Sequence, residues 1–199
     1  MARTQSQNYP EVRQNILSQA ARLFAEQGYS GTTIIDLAAA CESSRGALYH
    51  YFESKEEILF HILDGHVSAL FETVEAASAG IVDPLEQCRA IITAIVVTNA
   101  GSRHEQVVLL NHLNQLGPEQ QQGIVARQRE IIELVADILI RIDAKRRMTT
   151  RNKKAYTMML FGMINYTFTW YDPNGPVSPQ EYAAMTADLF IRGFTSGEG

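Results

Sequence analysis

Apolar residues in this chain recur every three or four positions over nearly its whole length and almost nowhere alternate singly. That pattern admits packed amphipathic helices and leaves no strand to build a sheet from. Val12, Ile16, Leu17, Ala20, Ala21 and Phe24 fall at offsets 0, 4, 5, 8, 9 and 12, one face of a first helix, and Gly28 stands where its C-terminal cap belongs. Thr32 and Thr33 offer N-caps for a short second helix that carries Ile34, Leu37 and Ala38 and ends near Glu42. Ser43 and Ser44 can cap a third, "RGALYHYF", and Ser54 with Glu57 three residues on predicts a capping box for a fourth helix running to about Ala79.

From about Val82 onward the helices are separated by Gly and Pro signals. "DPLEQCRAIITAIVVTNA" starts with an Asp cap followed by Pro, "GPEQQQGIVARQREIIELVADILIRI" starts in the same way at Pro118, and "MTTRNKKAYTMMLFGMINYTFTWY" predicts one long apolar helix. A last amphipathic helix opens at Ser178-Pro179. No fixed-period repeat or low-complexity tract interrupts the series. The expected fold is all-α, with about nine helices, three short ones preceding a long fourth that is shared by a small unit at 1–54 and a larger one at 55–199.

With 46% hydrophobic residues in 199, the chain has ample material for a core, and no apolar run approaches the roughly 20 residues that a membrane-spanning helix requires. Only Cys41 and Cys88 are available for disulfides, and the polar start "MARTQSQNYP" lacks the apolar stretch of a secretory signal, so the expected compartment is a reducing cytoplasm. The net charge is −5, and residues 1–60 carry five Lys or Arg (Arg3, Arg13, Arg22, Arg45, Lys55) against seven Asp or Glu. Any contact with nucleic acid must therefore be local and shaped rather than a matter of bulk positive potential.

Residues 32–58, "TTIIDLAAACESSRGALYHYFESKEEI", crowd polar side chains between two apolar patterns. Two short helices joined by a tight turn bury little surface alone and must lean on the first helix and the start of the fourth, which is a helix-turn-helix. In such a unit the start of the second helix points into the DNA major groove, and hydroxyls and backbone N–H groups at both helix starts hold phosphates. Arg45 leads that helix and can fork onto a guanine, Tyr49 and His50 follow one turn on, Leu48 and Phe52 turn inward, and Lys55 stands past the end, placed for a phosphate.

The stretch "SSRGALYHYFESKEEIL", preceded by "GYSGTTIIDLAAA", resembles the DNA-binding signature of the tetracycline-repressor (TetR) family of bacterial transcriptional regulators, in order, spacing and residue type over residues 10–60. The resemblance implies an N-terminal helix-turn-helix DNA-binding domain and a C-terminal helical domain that binds a small-molecule effector and dimerises through its last two long helices. It implies a homodimer on a palindromic double-stranded operator, released by that effector, with no catalytic activity and no cofactor. Positions matching the family's DNA contacts are Thr33, Ser44, Arg45, Gly46, Ala47, Tyr49, His50 and Lys55. Three positions depart from the pattern: Glu42 and Ser43 replace the usual Gly and aliphatic residue at the turn, and Ile35 is apolar where a polar residue often stands, leaving it at most a thymine methyl to touch.

In the larger domain Met158, Met159, Phe161, Met163, Tyr166, Phe168, Trp170 and Tyr171 crowd one predicted helix. Methionine adapts to irregular apolar ligands, so Met159, Met163 and Phe168 are candidates for an effector cavity, although ordinary core or a subunit interface explains such a stripe equally simply. Phe161 and Leu189 are the expected dimer-interface residues. Lys145, Arg146, Arg147, Arg151, Lys153 and Lys154 put six positive charges within ten residues. Such a run usually forms a solvated loop, but Arg146, Arg147 and Arg151 would also suit the phosphates of an acyl-coenzyme A thioester. The ending "WYDPNGPVSPQEYAAMTADLFIRGF" is similar to family members that control fatty-acid, aromatic-acid or sterol breakdown. An uncharged hydrophobic drug or metabolite is the alternative effector, and a DNA-binding protein with no effector is the other alternative.

A metal site is not expected: His61 and His66 are five apart, off the spacing that aligns ligands on one helix face, and neither cysteine belongs to a C-x-x-C pair. An enzyme is not expected either, since neither a Gly-rich phosphate loop nor a G-x-S-x-G elbow is present.

Overall fold

The computed structural model describes residues 8–196. Arg3, counted above among the basic residues of the first segment, lies outside them. The described residues form nine α-helices: α1 (Tyr9–Gln27), α2 (Ile34–Ala40), α3 (Arg45–Leu48), α4 (Lys55–Ser78), α5 (Pro84–Gly101), α6 (Arg103–His112), α7 (Pro118–Ile142), α8 (Lys153–Asn165) and α9 (Pro179–Ser196). Short 3-10 segments follow α6 (Leu113–Gln115) and α8 (Tyr166–Thr169), and no strand occurs among the described residues.

Two predicted helices are shorter than their patterns suggest. "RGALYHYF" is regular only to Leu48, beyond which His50 and Tyr51 donate to carbonyls three residues back. The long apolar helix stops at Asn165 and tightens into the 3-10 turn, where Thr167 and Thr169 donate their hydroxyls to the carbonyls of Ile164 and Tyr166. β-branched and hydroxyl-bearing residues compete for backbone partners in this way and weaken a helix end. Helix α6 is not among the helices that the sequence pattern sets apart.

The chain divides into two compact units. One unit holds the residues up to His66 together with His104–Ile124, and the other holds Val67–Arg103 and the residues from Val125 onward. Helices α4, α6 and α7 are each continuous across the division. The segment 104–124 belongs with the first unit because α4 holds it: the buried His66 and Gln106 meet at 2.9 Å, and Glu56 accepts from the Gly117 N–H at 3.1 Å.

The core of the first unit is built from Ile16, Ala20, Phe24, Leu37, Leu48, Phe52, Ile58, Leu59 and Leu63, all fully or nearly fully buried. The second unit packs α5 along α9, with α7 and α8 against them. Its core includes Ile91, Ile95, Val135, Leu139, Leu160, Phe161, Ile164, Ala187 and Ile191. The Arg89–Asp188 ion pair at 2.6 Å ties α5 to α9 at the half-exposed margin.

Candidate nucleic-acid interface and effector slot

The turn between α2 and α3 explains how a chain lacking glycine there still makes the motif. Helix α2 ends with Glu42 N–H donating to Ala39 O at 3.1 Å and Ser43 N–H donating to Ala38 O at 2.9 Å. This pair of bonds is a Schellman cap, whose first residue past the helix must enter the left-handed region. Glu42 does so, at φ 49°. A side chain at that φ costs about 1 kcal/mol relative to glycine, a strain that the two cap bonds offset.

Both helix starts are capped by hydroxyls, with different consequences for what remains free. Thr33 accepts from Asp36 N–H at 3.2 Å while its own hydroxyl donates to the Asp36 carboxylate at 2.6 Å, and the carboxylate also accepts from Thr33 N–H at 2.8 Å. These bonds, the side-chain one foremost, hold the Asp36 carboxyl below its ordinary pKa. The Thr33 hydroxyl proton is thus already committed. Ser44 caps α3 by accepting from Ala47 N–H at 3.1 Å, which uses a lone pair and leaves the O–H available to donate. The neighbouring Thr32 is buried and donates to Gly28 O at 2.9 Å, sewing the start of α2 to the end of α1.

Lys55 is where the structure differs most from the sequence expectation for this unit. Its ammonium donates to Tyr29 O at 2.8 Å and Thr32 O at 2.9 Å and sits 4.2 Å from the centre of the Tyr29 ring. Burial holds its pKa below the ordinary lysine value. Two of its three donors therefore close the loop between α1 and α2 rather than stand open to solvent.

Of the other basic residues described before 60, Arg22 pairs with Glu26 at 3.1 Å and Arg13 lies 4.8 Å over the Phe52 ring. Arg45 is exposed and, unlike these, engages no partner among the described residues. Gly46, Tyr49 and His50 are exposed beside it, Ala47 is half-buried, and Leu48 and Phe52 are buried. Ile35 is 60% exposed on α2. The first unit thus presents a cation, two rings, one free hydroxyl and one aliphatic side chain around a short helix start, which can contact phosphates and base edges but has no chemistry to perform on them.

In the second unit a slot lies between α5, α7 and α8, lined by Cys88, Ile91, Ile92, Ile95, Val135, Ile138, Leu160, Phe161 and Ile164, apolar throughout. As it stands it encloses about 10 Å³, room for about one water. Burial pushes the Cys88 thiol up to about 12, so this cysteine is an inert wall residue.

None of the predicted ligand residues lines this slot. Met159 is 61% exposed because it lies about 100° around α8 from the buried Leu160. Met163 is half-buried, its carbonyl accepting from the Tyr182 hydroxyl at 2.9 Å, and Phe168 lies in the 3-10 turn, its carbonyl accepting from Arg103 at 3.2 Å. Phe161, expected at a dimer interface, is only 7% exposed and forms part of the slot wall, whereas Leu189 is 67% exposed. Arg147 is packed 5.4 Å over the Phe194 ring and 3.7 Å from Asp143, so it is a structural side chain. Arg146, at φ 52°, and Arg151 are exposed. Apart from Phe161, which was expected at an interface, the residues that line the slot were missed because apolar side chains on three separate helices carry no signal except burial.

Two family models cover most of the chain: "Bacterial regulatory proteins, tetR family" over residues 16–62 and "Tetracyclin repressor-like, C-terminal domain" over residues 82–194. The chain belongs to the TetR family. It is accordingly a DNA-binding transcriptional regulator and not an enzyme. A TetR-family regulator from Bordetella parapertussis matches with a TM-score of 0.88 at 38% identity, covering 94% of this chain and 98% of that one. The transcriptional repressor KstR2 of Mycolicibacterium smegmatis is 26% identical over 197 residues, 94% of this chain and 92% of its own length. AibR, solved in complex with isovaleryl coenzyme A and operator DNA, shares the fold with a TM-score of 0.78 at 24% identity over 89% of this chain and 97% of its own. No helix among the described residues is long and apolar enough to cross a membrane.

Proposed function

We propose that this TetR-family protein is a homodimeric repressor that binds a palindromic operator and is released by an acyl-CoA thioester. Arg45 reads a base edge, with Tyr49, His50 and the backbone at Gly46 and Ala47 beside it, and Ser44 donates its free hydroxyl to a phosphate. Thr33 and Lys55 contribute chiefly by holding the helix starts in place, Thr33 through the bonds of its hydroxyl and N–H with Asp36 and Lys55 through its two bonds to the Tyr29 and Thr32 carbonyls.

The observation that carries the effector reading is the wholly apolar slot between α5, α7 and α8 in a unit that also exposes Arg146, Arg151 and Lys154. Ligand pockets typically hold about 300–1,000 Å³, so an acyl chain entering a slot of about 10 Å³ must spread the three helices. Packed cores respond to such insertion by moving to a second arrangement rather than by yielding smoothly. Because α7 is continuous from the slot into the first unit, and α4 and α6 also cross the division, that displacement is carried along the helices toward the reading head. The exposed cations would meet the coenzyme phosphates. The AibR complex supports this reading as a precedent in a shared fold.

The second copy binds the outward face of α8 and α9. Ala155, Met158, Met159, Gly162 and Tyr166 are exposed at offsets 0, 3, 4, 7 and 11, one continuous stripe, and Met185 and Leu189 are exposed on α9. A contiguous apolar stripe of this kind calls for a partner, and a self-complementary one suits the two-fold symmetry of a palindromic site.

The test is a titration of the protein–operator complex, at fixed salt, with a long-chain acyl-CoA, the free fatty acid and coenzyme A alone. Release by the thioester only, lost on neutralising Arg146 and Arg151 together without loss of operator affinity, is the expected result. Release by uncharged apolar compounds with no dependence on those arginines would replace the acyl-CoA with a hydrophobic drug or metabolite.

A further inference from the structure

Cys88, Ile92, Ile95 and Asn99 are spaced four, three and four residues apart on α5, the repeat that stacks side chains along one face of a helix. The first three line the apolar slot, and Asn99 follows one turn beyond them on the same stripe. Asn99 is 7% exposed, and neither its amide nitrogen nor its amide oxygen has a hydrogen-bond partner among the described residues. Native interiors rarely leave a buried amide with both its donor and its acceptor unused, because the group has given up water for nothing. A single polar group at the end of an apolar row is how ligand pockets fix the orientation of what they hold.

We propose that Asn99 is the specificity-determining residue of the effector site, hydrogen-bonding the polar head of an acyl derivative whose chain lies along Ile95, Ile92 and Cys88. The inference rests on the slot being the effector site and adds which part of the effector is read. The Asn99 side chain both donates and accepts, so its complement is a head that offers a carbonyl oxygen and an N–H within a few bonds of each other. A thioester followed by an amide-bearing arm supplies both. An ionised fatty acid supplies acceptors alone, and a hydrocarbon supplies neither, which leaves the buried amide as unsatisfied in the complex as it is without ligand. Discrimination by a buried polar group of this sort exceeds what the apolar walls achieve by chain length.

The experiment measures calorimetric binding of decanoyl-coenzyme A, S-decanoyl-N-acetylcysteamine and decanoic acid to the wild type, Asn99→Leu and Asn99→Ala, together with the melting temperature and operator affinity of each protein. The N-acetylcysteamine thioester has the chain, the carbonyl and the amide but no phosphates, so it isolates Asn99 from the exposed arginines. Both variants are expected to bind operator as the wild type does, and Asn99→Leu to melt no lower than the wild type, since it removes an amide that has no partner. Affinity for both thioesters should fall by about tenfold or more in both variants, with a smaller change for decanoic acid. Equal thioester affinity in wild type and variants overturns the role of Asn99 and leaves the slot as the effector site. Failure of the wild type to bind either thioester overturns both readings. A marked fall in melting temperature in both variants shows that the amide is an internal structural contact and also overturns the proposal.

Discussion

In the α2–α3 head, the polar side chains that matter find partners close by in the chain or across one loop: Thr33 and Asp36 are three residues apart, and Lys55 reaches back 26 residues to Tyr29 and 23 to Thr32. In the second unit, the slot is lined by apolar side chains that arrive from three helices, Cys88 on α5, Val135 on α7 and Leu160 on α8 among them. The first arrangement is held by directional bonds and can keep a side chain such as Arg45 exposed in a fixed place. The second is held by packing alone, so it has no fixed cavity but a core that can be parted. Recognition of a rigid partner suits the one, and response to a small apolar molecule suits the other.

Substitution of Phe161 puts the largest strain on this contrast. Phe161→Ala should destabilise the second unit by about 3–5 kcal/mol, seen in urea unfolding, because it empties the slot wall. Leu189→Glu, on the exposed face of α9, should leave unfolding nearly unchanged and instead lower the sedimentation mass from dimer to monomer. If Phe161→Ala proved mild and monomeric, the interface would be on the other face of α8.

A smaller effect is expected in the head. Lys55→Met removes two charge-assisted bonds to backbone carbonyls and should cost about 2 kcal/mol of stability. Its operator affinity should recover when the protein is assayed well below its lowered melting temperature. A Lys55→Met variant of unchanged stability and lost DNA binding would make this lysine a phosphate ligand first and a strut second.

Glu42→Gly sharpens the comparison from the opposite side. Relieving a side chain at φ 49° should stabilise the head by about 1 kcal/mol in thermal unfolding, and removing the carboxylate just before Ser44 and Arg45, the proposed DNA contacts, should raise operator affinity slightly.

The smallest effect is in the pH dependence. His66 is buried beside Gln106 and Glu105, and burial, outweighing both neighbours, holds its pKa below the ordinary 6.5. The unfolded ring takes up a proton near that ordinary value while the folded ring resists, so stability is full above it and declines as pH falls below 6.5. His66→Gln should flatten that decline in unfolding curves taken across the window.

How much of this was legible in the sequence follows from the same contrast. The caps at Thr33, Ser44 and Ser178 depend on neighbours within a few positions, so spacing alone points to them, whereas the left-handed turn at Glu42 could not be read, because a glutamate does not mark a positive φ. The Lys55 bonds could not be read, because a lysine past a helix end looks the same whether it meets a phosphate or a carbonyl. Nor could the inner and outer faces of α8 be told apart: with Met158, Met159, Leu160, Phe161 and Met163 apolar almost all round, only the packing of α5 and α7 decides which side faces inward.

The most direct measurement is operator affinity of wild type and Arg45→Ala against a set of operators carrying single base-pair changes in each half-site, with unfolding stability measured on the same preparations. Arg45→Ala should unfold as the wild type does, bind the intact operator more weakly by about 1–3 kcal/mol, and lose discrimination at one base pair per half-site. Undiminished affinity and unchanged base preference in Arg45→Ala would contradict the assignment of this exposed cation as the residue that reads the operator.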